Sequence, residues 1–426
     1  MICIDCVRPD PLKRFINEFG NVATCACCGS DAICVEKVRL FFFIEERLKE
    51  ILKPSSELSR YEQIMIYEGG TDDPHIMPIW EVIQERLVVG HENFECELIE
   101  WINPRWGLDE QGAELLFAID DGSLEENSYE ADWAKFVDGI HHGHRFFNDK
   151  ARGFLEDIFG FLHKNGEIDK LLITKIDTNT EIFRARTSNS KEESDAILNS
   201  PWLQLGPAPK EKSTPQRMTP SGISAMYCSL ERATCLSEIR AITSDIVISG
   251  AFTPLETLNL IDLCKLEELA TPNLHPLSES YTKSCHASGF LKSLVYKISK
   301  PKGRQDDLAY LSTQAIFEYL RLNYSAQVDG IMFPSVQTGL KGKNIAIFPE
   351  SSIIAPKEHN HEEWKKLNHE NPFSEPTPKL IFKDGSFIFH KIKSIITESD
   401  DYSDRYLIDM DELTRSRLFP GTNQGM

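Results

Sequence analysis

At 426 residues the chain is longer than one typical domain, and two or three are expected. Its 41% hydrophobic and 26% charged content supplies a sizeable globular core, and no run approaches the ~18 apolar residues of a membrane span. A formal net charge of -20 argues against bulk nucleic-acid binding, which needs a basic face.

The acidic excess is concentrated between residues 60 and 140 and reads as a solvated surface. No basic stretch followed by an apolar core opens the chain, so no signal peptide is evident, and a cytoplasmic location without membrane contact is expected. Eleven cysteines in that compartment are expected as thiols or metal ligands, not as a disulfide framework.

Residues 1–36 carry the densest of them. Cys3-x2-Cys6 and Cys25-x2-Cys28 form two knuckles, and Gly29 follows the second. Four thiolates so spaced can meet one tetrahedral Zn²⁺, with the glycine turning the backbone beneath it. Such a closed site is structural, because no coordination position is left open. Cys27 and Cys34 are competing candidates for the ligand set.

A helical domain is expected over 37–168, beginning with an apolar-periodic run from Val38 to Leu52 that stops near Pro54. Segments 76–87 and 94–102 continue the pattern. Arg86 and His91 have the spacing of a helical nuclease pair, but Gly90 falls between them. From Trp133 to Leu162 one or two helices are expected, with Trp133, Phe136, Ile140, His144, Phe147, Phe154, Ile158 and Phe161 as a packing stripe. His141, His142 and His144 next to Arg145 invite a metal reading. Gly143 interrupts their helix, and a packed histidine cluster explains them better.

Short β-type runs alternate with helices over 169–356, at 171–176, 182–186, 223–227, 245–252, 258–263, 331–333 and 345–348. Residues 188–220, rich in Ser, Pro and Lys, are expected as a long surface excursion that contains Arg217. Arg217 and His286 are left as auxiliary polar residues in long loops. Beyond Pro356, His359 and His361 lie in a charged loop. Residues 379–382 and 387–392, separated by Asp384-Gly385, read as a β-hairpin before a polar tail.

Three places carry the chemistry. Arg184 lies inside a strand-like segment, Glu238 on a short helix after Tyr227, and Ser335 at the end of a strand. An arginine, a carboxylate and a small hydroxyl at element edges suit a phosphate-bearing substrate with a bond to be cleaved.

The segment from 180 to 350 resembles the RES-domain family, NAD⁺-degrading proteins named for Arg, Glu and Ser. Phe183-Arg184-Ala185-Arg186 is similar to the family's arginine strand. Tyr227 and Glu238 resemble its tyrosine-then-glutamate block. Ile331-Met332-Phe333-Pro334-Ser335, followed by Asn344 to Phe348, resembles its serine strand and the next one. Tyr310 to Gln314 resembles a helix-opening block of longer members. Ala185 stands where some shorter members have an aromatic, which leaves the stacking surface unassigned. The cysteine ribbon, Trp133 and Arg145-Phe146-Phe147 resemble the N-terminal region of HEPN/RES-type bacterial proteins.

The resemblance implies an α+β fold: a mixed sheet like that of ADP-ribosyltransferases with flanking helices, preceded by a zinc ribbon (1–36) and a helical domain (37–168), and followed by an extension (357–426). It implies cleavage of the nicotinamide–ribose bond of NAD⁺ by phosphorolysis or hydrolysis, in a growth-arresting toxin or defence effector. Catalysis falls to Arg184, Glu238 and Ser335, with Arg184, Tyr227 and Ser335 binding substrate. Structural Zn²⁺ on Cys3, Cys6, Cys25 and Cys28 is expected as cofactor. An antitoxin or regulatory protein, or a homo-oligomer, is a candidate restraint. Transfer of ADP-ribose to a macromolecule and a non-catalytic binding protein built on the ribbon are the alternatives.

Overall fold

Apolar residues recur at helical and strand periods along most of the chain, and the elements follow them. A computed structural model describes residues 1–60, 62–63, 76–109, 112–124, 127–164, 167–266, 268, 273–299, 308–356, 377–394 and 400–405. His359, His361 and the tail beyond 405 lie outside the described residues. The chain divides into two units, Met1–Asp132 with Ala270–Phe290, and Trp133–Leu269 with Leu291–Met426. Among the described residues no helix is long and apolar enough to cross a membrane.

In the first unit, β1 (Ile2–Cys3), β2 (Asn21–Thr24) and β3 (Asp31–Val35) form a small antiparallel sheet in the order β1-β3-β2. Helix Lys37–Ile51 buries Leu40, Phe41, Ile44, Leu48 and Ile51, a stripe at three- and four-residue steps. Helix Glu92–Trp106 answers with Phe94, Leu98 and Ile102, and the Phe41 and Phe94 rings lie 5.5 Å apart. The helical expectation misses a second sheet, in which β6 (Leu116–Ile119) lies between β4 (Leu52–Pro54) and β5 (Ile76–Pro78). His91 Nδ1 accepts from the Asn93 amide at 3.2 Å and caps helix Glu92–Trp106, which gives this histidine a structural task.

The second unit is built on one ten-stranded mixed sheet. After the small pair β7 (His163–Lys164) and β8 (Glu167–Ile168), its strands are β9 (Ile173–Ile176), β10 (Ile182–Ser188), β11 (Met226–Ser229), β12 (Ile246–Pro254), β13 (Leu258–Asp262), β14 (Gly330–Pro334), β15 (Lys343–Ile347), β16 (Ile354–Ala355), β17 (Leu380–Phe382) and β18 (Ile388–Lys391). The order is β16-β17-β12-β10-β11-β15-β14-β13-β9, with β18 also on β12. One face packs Ile182, Met226, Cys228, Ile248, Met332 and Ile345. On the other, Ala185 and Val247 meet Cys235 of helix Arg232–Glu238.

Several expectations are corrected here. The strand leading to Glu238 is Met226–Ser229, shifted from 223–227, because those four residues pair with Ile347 to Asn344. The two C-terminal strands do not form a hairpin. β17 pairs with Phe252–Pro254 and β18 with residues 246–249, so both lie end to end along the long strand β12. The excursion over 188–220 contains helices Lys191–Asn199 and Pro201–Gln204. Phe147 leaves the packing stripe: the helix ends at His142, the chain turns, and Phe147 is 96% exposed.

Candidate functional site

Helix Arg232–Glu238 is pinned at both ends. At its start, Glu231 Oε2 accepts from Thr234 Oγ1 at 3.0 Å and from the Lys343 amide at 3.2 Å. The Arg232 guanidinium donates to Ser249 Oγ at 2.6 Å and to the Ser386 carbonyl at 3.1 Å, and lies 4.5 Å from the centre of the Phe183 ring. Gly342 allows this close approach, because a Cβ there would stand 2.1 Å from Thr234 Oγ1.

At the other end the helix delivers Glu238. Its Oε1 accepts from Ser335 Oγ at 2.5 Å and from Asn344 Nδ2 at 2.7 Å. Ser335 follows β14 directly, is fully buried, and is fixed through its amide to the Gly342 carbonyl at 2.8 Å. Asn344 opens β15 opposite Ser229 of β11, and Ser229 Oγ donates to Asn344 Oδ1 at 2.8 Å. The amide is therefore oriented with its nitrogen toward the carboxylate. One Glu238 oxygen is held by two donors, and among the described residues Oε2 has no hydrogen-bond partner. The carboxylate is thus fixed through one of its two oxygens.

Tyr227 is two residues before Ser229 on β11, on the same sheet face, but does not offer a free hydroxyl. Its oxygen accepts from the Met218 amide at 2.8 Å and lies 3.3 Å from Thr219 Oγ1, and burial pushes its pKa well above the phenol range. The same loop is held from helix Leu311–Tyr324: Gln314 Nε2 donates to the carbonyls of Gln216 at 2.8 Å and Thr219 at 3.2 Å, and Thr313 Oγ1 donates to the Arg217 carbonyl. These anchors position Arg217, which sequence reasoning left as an auxiliary. Its guanidinium donates to the Ile298 carbonyl at 3.0 Å and sits 5.4 Å from the Tyr310 ring centre. Burial lowers its pKa, while the Tyr310 and Glu238 charges oppose that shift.

Arg184 is not brought into hydrogen bonding with Glu238, Ser335 or Tyr227. Side chains alternate along β10, so Arg184 shares the face of Ile182, whereas Phe183 and Ala185 face helix Arg232–Glu238. β10 and β11 pair only at Phe183 and Ser229, and Arg184 stands one residue past that point, where the strands part. Its Nη1 is buried without a hydrogen-bond partner. Burial lowers its pKa, and the thiols of Cys228 and Cys235, themselves pushed up to about 12 by burial, act the other way. With Arg186 and the 203–209 segment it lines a cavity of about 60 Å³, room for a small anion but not for a dinucleotide.

In the first unit, the sulfurs of Cys3, Cys6, Cys25 and Cys28 all lie within 4.8 Å of one another and could hold a metal ion. The pairs Cys3–Cys28 and Cys6–Cys25 are 3.6 and 3.8 Å apart. Four thiolates about 2.3 Å from a tetrahedral Zn²⁺ would stand roughly 3.8 Å from each other. Gly29, at φ +74°, makes the turn after the second knuckle, and its amide donates to the Cys25 carbonyl at 2.9 Å. Burial works against the Cys25 thiolate, but the amides of Cys28, Cys27 and Cys3 together outweigh it and bring the thiol down to about 6. Cys34 is outside the cluster, with its thiol on the Ala23 carbonyl at 3.2 Å, and Cys27 is outside it too. Among the described residues this is the one group that could hold a metal, so the histidines at 141, 142 and 144 do not join one.

No curated protein matches the chain. Residues 182–365, from the first residue of β10 to beyond β16, match the family model of the RES domain, and the chain carries a RES domain there.

Proposed function

We propose that the RES domain cleaves the nicotinamide–ribose bond of NAD⁺. The observation that carries this reading is the Glu238 carboxylate, held on one oxygen by Ser335 and Asn344, with no partner on the other among the described residues. When the bond breaks, its electron pair leaves with the pyridinium nitrogen and nicotinamide departs neutral, so no general acid is required. The ribose carbon acquires oxocarbenium character, and a rigid negative oxygen beside it stabilises that charge or holds the ribose hydroxyls. Water or phosphate then adds to the carbon, and hydrolysis and phosphorolysis share the same groups.

Arg217, near enough to feel the Glu238 charge, serves the pyrophosphate from that side. Arg184, on the other sheet face, has a buried Nη1 without a hydrogen-bond partner and serves a small anion there, not the dinucleotide. Tyr227 positions the 218–219 backbone and offers its ring, not its hydroxyl, to the substrate. Ser335 and Asn344 hold the carboxylate. Zn²⁺ is assigned to Cys3, Cys6, Cys25 and Cys28 as a structural ion, since the all-thiolate set leaves no open position. In a cell this activity would deplete NAD⁺ and arrest growth unless a partner protein or self-association restrained it.

The test is nicotinamide release from NAD⁺ by the full chain, with and without phosphate. Glu238→Ala should abolish release with the fold intact, and undiminished release would remove Glu238 from the site. Labelled ADP-ribose recovered on protein or nucleic acid would indicate transfer in place of cleavage, and binding without turnover would indicate a non-catalytic module.

A further inference from the structure

The first unit holds a second chemical constellation, far from the four cysteines in sequence. Asp120 follows β6, Ser128 opens helix Ser128–His142, and His286 lies in helix Tyr281–Ser299. His286 Nε2 is 2.7 Å from Asp120 Oδ1, and His286 Nδ1 is 3.1 Å from Ser128 Oγ. Asp120 and His286 are 3% and 6% exposed, while Ser128 is exposed to solvent.

The remaining contacts assign the protons. The Ser128 amide donates to His286 Nδ1 at 3.3 Å, so Nδ1 is the acceptor and Nε2 carries the hydrogen that Asp120 receives. Lys53 Nζ lies 3.7 Å from Asp120 Oδ2, on the side away from the histidine. Asn127 Nδ2 donates to the His286 carbonyl at 3.1 Å, tying the serine's turn to the histidine's helix. A hydroxyl faces a neutral imidazole nitrogen, and a buried carboxylate orients the opposite one. That is the arrangement of an activated nucleophile.

We propose that Ser128, His286 and Asp120 form an acyl-transfer site that accepts small activated esters. Ser128 Oγ attacks the ester carbonyl carbon and its proton passes to His286 Nδ1, where the imidazolium stays paired with Asp120. The carbon–oxygen bond to the alcohol breaks, and the alcohol leaves with that proton. Water then attacks the acyl-serine, gives a proton to Nδ1, and releases a carboxylic acid as Oγ recovers the proton. The nearest amides are already engaged, Ser128 with His286, Tyr129 with Asn127 Oδ1 and Glu130 with the Asn127 carbonyl. Among the described residues the site thus has no spare amide donor for an oxyanion, and esters with good leaving groups are the substrates that need none.

The experiment treats the full chain with a fluorophosphonate probe and with p-nitrophenyl acetate, and maps the adduct by peptide mass. A single adduct on Ser128 is expected, lost in Ser128→Ala and retained in Glu238→Gln. His286→Gln should slow labelling about a hundredfold. Should that variant fail to fold, Ser128→Cys replaces it, and its thiol should alkylate with iodoacetamide about tenfold faster than the exposed Cys96. An adduct absent from Ser128, or labelling that ignores the histidine, overturns the proposal and leaves the trio as a structural tie.

Discussion

Asn344 is fixed from both sides, accepting from Ser229 Oγ at 2.8 Å and donating to Glu238 Oε1 at 2.7 Å. The carboxylate's aim therefore depends on an amide from a neighbouring strand. Asn344→Asp would replace the donor with a second negative charge against Glu238. NAD⁺ cleavage should fall about ten- to a hundredfold, in kcat more than in KM. Steady-state nicotinamide release checks this, and an unchanged kcat would reduce Asn344 to sheet packing.

The two arginines can be separated by substitution. Arg217→Lys and Arg184→Lys keep the charge but lose the planar fork; the first should raise KM for NAD⁺ about tenfold, and the second should leave it nearly unchanged. Because Arg184 stands on the other sheet face, its variant is the more informative. A KM that rises only for Arg217→Lys would place the pyrophosphate wholly on the Glu238 side.

Ending the chain after residue 376 should destabilise the RES domain although its family match stops at 365. Leu380 and Phe382 leave the core, and Asp329 loses the Lys379 ammonium at 2.6 Å. Together these cost roughly 5 kcal/mol or more. Chemical denaturation and soluble yield measure the loss.

Purified protein should carry close to one zinc per chain by elemental analysis. Cys25→Ser should lose that metal and unfold the ribbon, whereas Cys34→Ser should keep it, since Cys34 is committed to the Ala23 carbonyl.

His390 supplies a pH signature. Its Nε2 lies 2.8 Å from Ser249 Oγ, and burial, then the Arg232 charge, lowers its pKa from 6.5. The neutral imidazole is the folded form, so the unfolded chain binds the proton more readily. Its stabilising contribution is complete above about pH 6.5 and is lost as pH falls from there through the lower folded value. Urea midpoints compared at pH 7.5 and 5.5 should show a smaller drop for His390→Gln than for the parent.

Local pattern made much of this architecture legible. Arg184, Tyr227, Glu238 and Ser335 were each read at an element edge, and Glu238 and Ser335 meet although 97 residues separate them. In the sequence Asn344 marks only the start of a strand. Its role depends on standing opposite Ser229, and register between distant strands is not written in either segment. Alternation along β10 could have shown that Arg184 and Ala185 face opposite ways. Arg217 was hidden because a loop reveals its purpose only through what anchors it, here Tyr227, Thr313 and Gln314. The C-terminal strands were legible as strands, but their partner β12 lies more than a hundred residues upstream.

The bond from Arg232 to the Ser386 carbonyl has a consequence in time. Synthesis delivers Glu238, Ser335 and Asn344 well before Ser386, so a nascent chain holds every group of the carboxylate site before it holds the strap on that helix. Full bracing of the Glu238 helix waits for one of the last segments described, so the carboxylate is held in its final geometry only late in synthesis.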